Sequence, residues 1–110
     1  MTLKNIALLL VLSLSLAACA VVDVTKTAKG FYEKTDPNSV EILKTRPTRT
    51  FEELGTVTAA QFMPMETAKM HNAIRAKSAV LGANAVILTE EGILNNGRKW
   101  ATGVAIRFTK

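Results

Sequence analysis

At 110 residues the chain has room for one small domain, and a single cysteine rules out a disulfide within the monomer. The formal balance of +5 is a modest basic excess. It suits anionic surfaces such as phospholipid head groups or cell-wall polymers, and it also serves solubility. Nucleic acid is not an expected partner: Arg46 and Arg49 lie close together, but no aromatic residues interleave with them.

The first element in chain order is a targeting pattern. One charge, Lys4, precedes an apolar run from Ile6 to Leu16 broken only by Ser13 and Ser15, and Leu16-Ala17-Ala18-Cys19 closes it. This is the layout of a secretory signal peptide, and it is too short for a transmembrane span, which needs about 20 apolar residues. The tetrad resembles the bacterial lipobox. That resemblance implies cleavage after residue 18, acylation of Cys19 (palmitate and related chains) and a membrane anchor through that residue. Ala20, rather than Asp, follows the cysteine. By similarity to enterobacterial sorting, this implies the outer membrane, facing the periplasm. Loss of Lys4 takes the formal charge to +4.

Residues 19–38 read as a lipidated tether, polar and without a sustained apolar period, ended by the turn Asp36-Pro37-Asn38-Ser39. Phe31 and Tyr32 interrupt it, and adjacent aromatics in a polar linker point to docking on the domain or on a partner. A domain spanning 39–110 follows. Val40 to Leu43 is a short strand, ended by a basic, proline-containing turn that carries Arg46 and Arg49. A second strand runs from Phe51 to Phe62, with Gly55 marking a bulge or a close backbone approach. Past Pro64 the period changes. Met65 to Leu81 predicts a helix with Met70, Ala73, Ile74, Val80 and Leu81 on its apolar face and Gly82 as C-terminal cap. Lys77 falls inside that stripe, so it must snorkel, pair with a carboxylate or present a positive group at a groove.

Ala85 to Thr89 is an apolar run expected to form a central strand. Asn95-Asn96-Gly97 signals a hairpin, and Lys99 to Phe108 forms the last strand. There Trp100, Thr102, Val104, Ile106 and Phe108 share one face, and Ala101, Gly103 and Ala105 share the other. The expected fold is α+β: a ββαββ order forming a largely antiparallel four-stranded sheet with one helix on one face. The large side chains are expected to meet Met70, Ile74 and Leu81. The small ones, Ala101, Gly103 and Ala105, are expected to form a bare face suited to a partner.

The stretch from Asn72 to Ile87 resembles a pattern of small bacterial envelope proteins, in which an Arg-x-Lys helix end runs into Leu-Gly-Ala-(Asp/Asn)-Ala-Val. The group includes the Rcs stress-sensor lipoprotein and the YbjQ-like proteins, mostly uncharacterised. Val40-Glu41-Ile42 and Glu53 to Val57 fit it as well. The resemblance covers residues 39 to 108 and implies a strand–strand–helix–strand–strand module. The Rcs sensor relies on domain disulfides, which cannot form here.

No catalytic pattern emerges. His71 is the only histidine and has no second ligand or obvious orienting acid. Glu52-Glu53 and Glu90-Glu91 are consecutive strand residues that point to opposite faces, and Glu53 with Glu90 is the one cross-strand pair to weigh. Phosphate loops, paired-cysteine metal spacings and nucleophile elbows are missing. The expectation is a non-enzymatic lipoprotein of the outer membrane, an envelope interaction, stress-sensing or accessory module without metal or cofactor. The alternative is a structural subunit of a homo-oligomeric envelope assembly. Its expected partners are the membrane, a protein or a second copy, with a cell-wall polymer as a further candidate. The candidate contact residues are Phe31, Tyr32, Arg46, Arg49, Lys77, Ala101, Gly103 and Ala105.

Overall fold

The computed structural model describes residues 20–109; Cys19 and the signal segment lie outside them. The chain forms β1 (Val21–Lys26), a 3-10 turn (Pro37–Ser39), β2 (Glu41–Leu43), β3 (Phe51–Phe62), α1 (Thr67–Val80), β4 (Ala85–Ile93) and β5 (Lys99–Phe108). The class is α+β, with one helix on one face of a sheet. The sheet has five strands rather than four, in the order β1-β3-β5-β4-β2. Its pairs are antiparallel except for β2 with β4.

The extra strand is β1. Six residues of the segment expected to be a tether pair with β3, from Val21 opposite Ala60 to Lys26 opposite Gly55. The rest of that segment is also tied down. Thr27 and Ala28 donate backbone N–H to the Leu54 carbonyl. Thr35 donates its N–H to Ala79 O at 3.0 Å and its hydroxyl to Ala83 O. Asp36 caps the 3-10 turn through the Asn38 N–H at 2.9 Å. No free linker stands between Ala20 and the domain.

Gly55 serves both roles expected of it. The register with β5 shifts between Glu53 and Gly55, which turns Leu54 into the core. A Cβ on Gly55 would stand 2.5 Å from the Thr25 carbonyl oxygen, so only glycine lets β1 lie this close. At the helix end Gly82 adopts φ +89°, the left-handed cap that the sequence required. A turn over 94–97 joins β4 to β5, with Gly97 at φ +84°.

The core lies between α1 and the face of the sheet that carries Val57, Ala59, Val86, Leu88, Ala101 and Ala105, with Met70 and Ile74 descending from the helix. This reverses the expected facing of β5. Ala101, Gly103 and Ala105 are buried beneath the helix, and Trp100, Thr102 and Val104 alternate onto the other face, half-buried. The reason is space: the bulk of this layer comes from Met70, Ile74 and Leu54, and the central strand must be small for the helix to approach. Gly103 shows the limit, since a Cβ there would meet Val86 Cγ1 at 2.7 Å.

The buried stripe also drifts along the helix, from Met70 and Ile74 to Ser78 and Ala79. The segment around Thr35 and Val40 covers that flank of the C-terminal half, with Arg75 Nε donating to Val40 O at 3.1 Å. Lys77 and Val80 therefore point to solvent, not into the stripe.

Residues 44–50 pass from the edge strand β2 to β3 across the sheet face opposite the helix. There the Arg46 guanidinium lies over the Phe51 ring at 4.7 Å and that of Arg49 over Phe108 at 3.9 Å. Ala85 and Ile106, opposite each other in the register and outside the helix-side core, are fully buried on this second face.

Candidate functional site

Three arrangements bring chemistry-bearing side chains together. The first is an open cleft of about 340 Å³ between the first turns of α1 and the end of β4, lined by Lys44, Thr67, His71, Glu91, Ile93 and Lys99. Lys99 Nζ donates to Thr67 Oγ1 at 2.6 Å. His71 Nε2 is enclosed without a hydrogen-bond partner and stands 4.0 Å from Glu91 Oε2. Burial holds the imidazole below its ordinary pKa. Glu91 pulls it upward, while Arg75, Lys44 and Lys99 push it further down. The imidazole is held toward its neutral form, and its Nε2 has no hydrogen-bond partner among the described residues. Glu53 and Glu90 are not neighbours either. β5 lies between their strands, so Glu53 faces Ile106 and Glu90 faces Thr102. Among the described residues no three His, Cys, Asp or Glu side chains group as metal ligands.

The second arrangement is the aromatic pair. Tyr32 docks on the domain: its hydroxyl donates to Glu52 Oε2, the Arg107 guanidinium lies 4.8 Å from its ring centroid, and its Cβ packs on Gly82. The carboxylate that accepts from it raises the phenol pKa above the ordinary value. Phe31 is exposed, with Lys26 Nζ over its ring at 4.1 Å. Of the basic candidates, Arg46 and Arg49 are exposed but stack on Phe51 and Phe108, and Lys77 is a solvated helix residue.

The third is the sheet face opposite the helix, which the size of its side chains predicts to be the core. Ile87 opposite Val104, Thr58 opposite Thr102 with their hydroxyls 2.8 Å apart, and Trp100 lying over Gly92 form a half-buried patch. Glu53, Glu90 and Asp23 are exposed on the same face by register, opposite Ile106, Thr102 and Thr58. The patch is apolar with hydroxyls at its centre; its margin carries these acids and, at the end where they stack on Phe51 and Phe108, Arg46 and Arg49. Its signal was in the sequence as the row Trp100, Thr102, Val104. Ala101, Gly103 and Ala105, expected to form a bare contact face, are instead covered by the helix.

No family model matches the chain, and no curated protein matches it. Among solved structures it is similar to the Francisella virulence factor FvfA, with a TM-score of 0.62 over 79% of this chain and 97% of that one. At 14% sequence identity the likeness is one of fold alone: the helix-on-sheet arrangement described here is shared with that protein.

Proposed function

We propose that this chain is a lipid-anchored protein of the bacterial outer membrane, facing the periplasm, that acts by contact and not by catalysis. Its working surface is the patch of Ile87, Trp100, Thr102 and Val104, rimmed by the acids Asp23, Glu53 and Glu90 and, at one end, by Arg46 and Arg49, and its partner is a protein with an apolar centre and a polar rim. The patch carries the reading: it is the sheet face opposite the helix, half-exposed, and holds the only tryptophan of the chain. Aromatic anchors ringed by polar groups are what protein interfaces use. The Leu16-Ala17-Ala18-Cys19 pattern and the envelope-protein resemblance of residues 72 to 87 support the compartment.

Metabolic labelling with a clickable fatty acid is expected to mark the wild type and not Cys19→Ser, and fractionation to place the protein with outer membranes. Labelling of the serine variant refutes the anchor. A photo-cross-linker at Val104 is expected to capture a partner in cells that one at Val80 does not, and Val104→Glu to abolish capture with the melting transition retained. Equal capture at both positions refutes the surface.

The homo-oligomer alternative draws support from β1, a six-residue strand at the sheet edge that, among the described residues, pairs only with β3. Such edges template pairing with another chain. Light scattering on residues 20–110 decides: a monomer at high concentration removes that alternative.

A further inference from the structure

β1 starts at Val21, two residues past Cys19, and Val21 pairs with Ala60 near the end of β3. At about 3.3–3.6 Å per residue, Cys19 reaches at most about 7 Å from the strand. The chain therefore leaves the fold at the end where β3 finishes, α1 starts and the β4–β5 hairpin turns. That end gathers most of the large apolar side chains exposed among the described residues. Met65 is 82% exposed, Ile93 61%, Val21 47% and Met63 38%.

Basic groups stand among them. Lys69 is on the first turns of α1, and Arg98 and Lys99 lie where the hairpin re-enters the sheet. Within 61–69 and 93–99 the only acid is Glu66; Asp23 and Glu91 stand two positions further back along β1 and β4, and Glu91 faces Lys44 at 3.9 Å. Glu66 is already engaged, with Lys69 Nζ at 3.3 Å and the Met63 N–H at 2.8 Å on its two oxygens. Arg98 uses one guanidinium nitrogen on the Gln61 carbonyl at 3.3 Å and keeps further donors.

Apolar side chains mixed with cations, at the point where an acyl anchor would emerge, match the boundary between lipid head groups and acyl chains. Unbranched methionines adapt readily to such a surface. We propose that this end of the domain rests on an anionic phospholipid bilayer. Met65, Ile93, Val21 and Met63 enter the boundary, and Lys69 and Arg98 face the phosphates. The inference rests on the anchoring of Cys19, and it adds an orientation: the strands stand upright on the membrane, and the Trp100 patch is presented sideways into the periplasm.

The test uses the full lipidated chain, with Trp100→Phe as background, in vesicles of phosphatidylethanolamine and phosphatidylglycerol carrying brominated acyl chains. A single tryptophan is placed by Met65→Trp, by Ile93→Trp, or by Val80→Trp at the other end of the helix, about 20 Å away. Emission is expected to fall in brominated vesicles for the first two and to hold for the third. Lys69→Glu, or replacement of phosphatidylglycerol by phosphatidylcholine, is expected to weaken the quenching of Met65→Trp. Flotation reads the anchor separately. A chain that floats with vesicles but shows no quenching at Met65, or equal quenching at Val80, keeps the anchor and overturns the docking. A chain that does not float overturns both. Quenching indifferent to Lys69→Glu and to lipid charge overturns the anionic assignment.

Discussion

Truncating Ile74 and Trp100 in turn asks which face of the sheet the helix covers. Ile74 is wholly buried between α1 and the small residues of the sheet. Ile74→Ala removes three carbons, about 2.4 kcal/mol of transfer free energy at about 0.8 kcal/mol each. The rigid Ala-rich face cannot collapse into the space, so a cavity term adds to this, and the expected loss is about 3–4 kcal/mol, inside the usual 2–5 range. Trp100 is larger, but it lies half-exposed over Gly92 on the far face. Trp100→Ala should cost about 1 kcal/mol, the typical size for a single substitution. Urea unfolding of residues 20–110, followed by far-ultraviolet circular dichroism because the tryptophan is lost, measures both. With a slope near 1 kcal/mol/M the midpoint moves by about 3 M for Ile74→Ala and about 1 M for Trp100→Ala. If Ile74→Ala leaves no folded baseline, Ile74→Val, expected at about 0.5–1.5 kcal/mol, keeps the comparison measurable. A Trp100→Ala loss as large as that of Ile74→Ala would restore the large residues of β5 to the core and refute the face assignment.

Gly82→Ala should destabilise by at least about 1 kcal/mol, because φ is +89° and a Cβ would stand 2.5 Å from Tyr32 Cβ; an unchanged urea midpoint contradicts this. Ser78 is fully buried and its hydroxyl meets no partner among the described residues, so Ser78→Ala should be neutral or stabilising by up to about 1 kcal/mol, and a clear loss would reveal a hydrogen bond. His71 gives a pH dependence. Its folded pKa lies below the unfolded value of about 6.5, so the unfolded chain takes up the proton first. Its contribution is complete above about pH 6.5 and declines as the pH falls toward the folded pKa. Unfolding free energies at about pH 7.5 and about pH 5.5 should therefore converge between wild type and His71→Gln at the lower pH; a histidine advantage that grows on acidification contradicts the burial argument.

Local signals were legible where a residue type has one structural use. Pro64 ends β3 at Phe62, Gly82 caps α1, and Gly97 turns the hairpin. The elements missed or shortened depend on distant partners. Val21 to Lys26 has too weak a pattern to read as a strand, and it becomes one by pairing with residues 55–60 of β3. β4 continues past Thr89 to Ile93 because β5 is there to pair with it. Hydrophobic size misled at β5. Alternation assigned its residues correctly to two faces, but which face meets a helix depends on the bulk the helix supplies. Met70 and Ile74 need Ala101, Gly103 and Ala105 beneath them. Lys77 was misplaced for a similar reason: an ideal wheel does not include the segment around Thr35 that rotates the buried stripe toward Ser78 and Ala79.

This reversal changes which substitutions can separate stability from contact. Ala105 is fully buried in the helix-side core, so Ala105→Glu would place a carboxylate in that core, where the cation on the same strand face, Arg107, is already engaged by the Gly82 carbonyl and the Tyr32 ring. An unpaired buried charge costs several kcal/mol, on the scale of the whole stability of a domain this size. Loss of partner capture in that variant would report unfolding and say nothing about an interface. Val104 lies one residue away on the opposite face, half-exposed between Thr56 and Ile87 in the register, and a glutamate there keeps its hydration. Val104→Glu is therefore expected to shift the urea midpoint little while removing contact. The pair Val104→Glu and Ala105→Glu thus tests both faces at adjacent positions. If Ala105→Glu folds with a wild-type midpoint and Val104→Glu does not fold, the helix lies on the other side of the sheet. The contact surface and the upright arrangement on the membrane would then have to be redrawn around Ala101, Gly103 and Ala105.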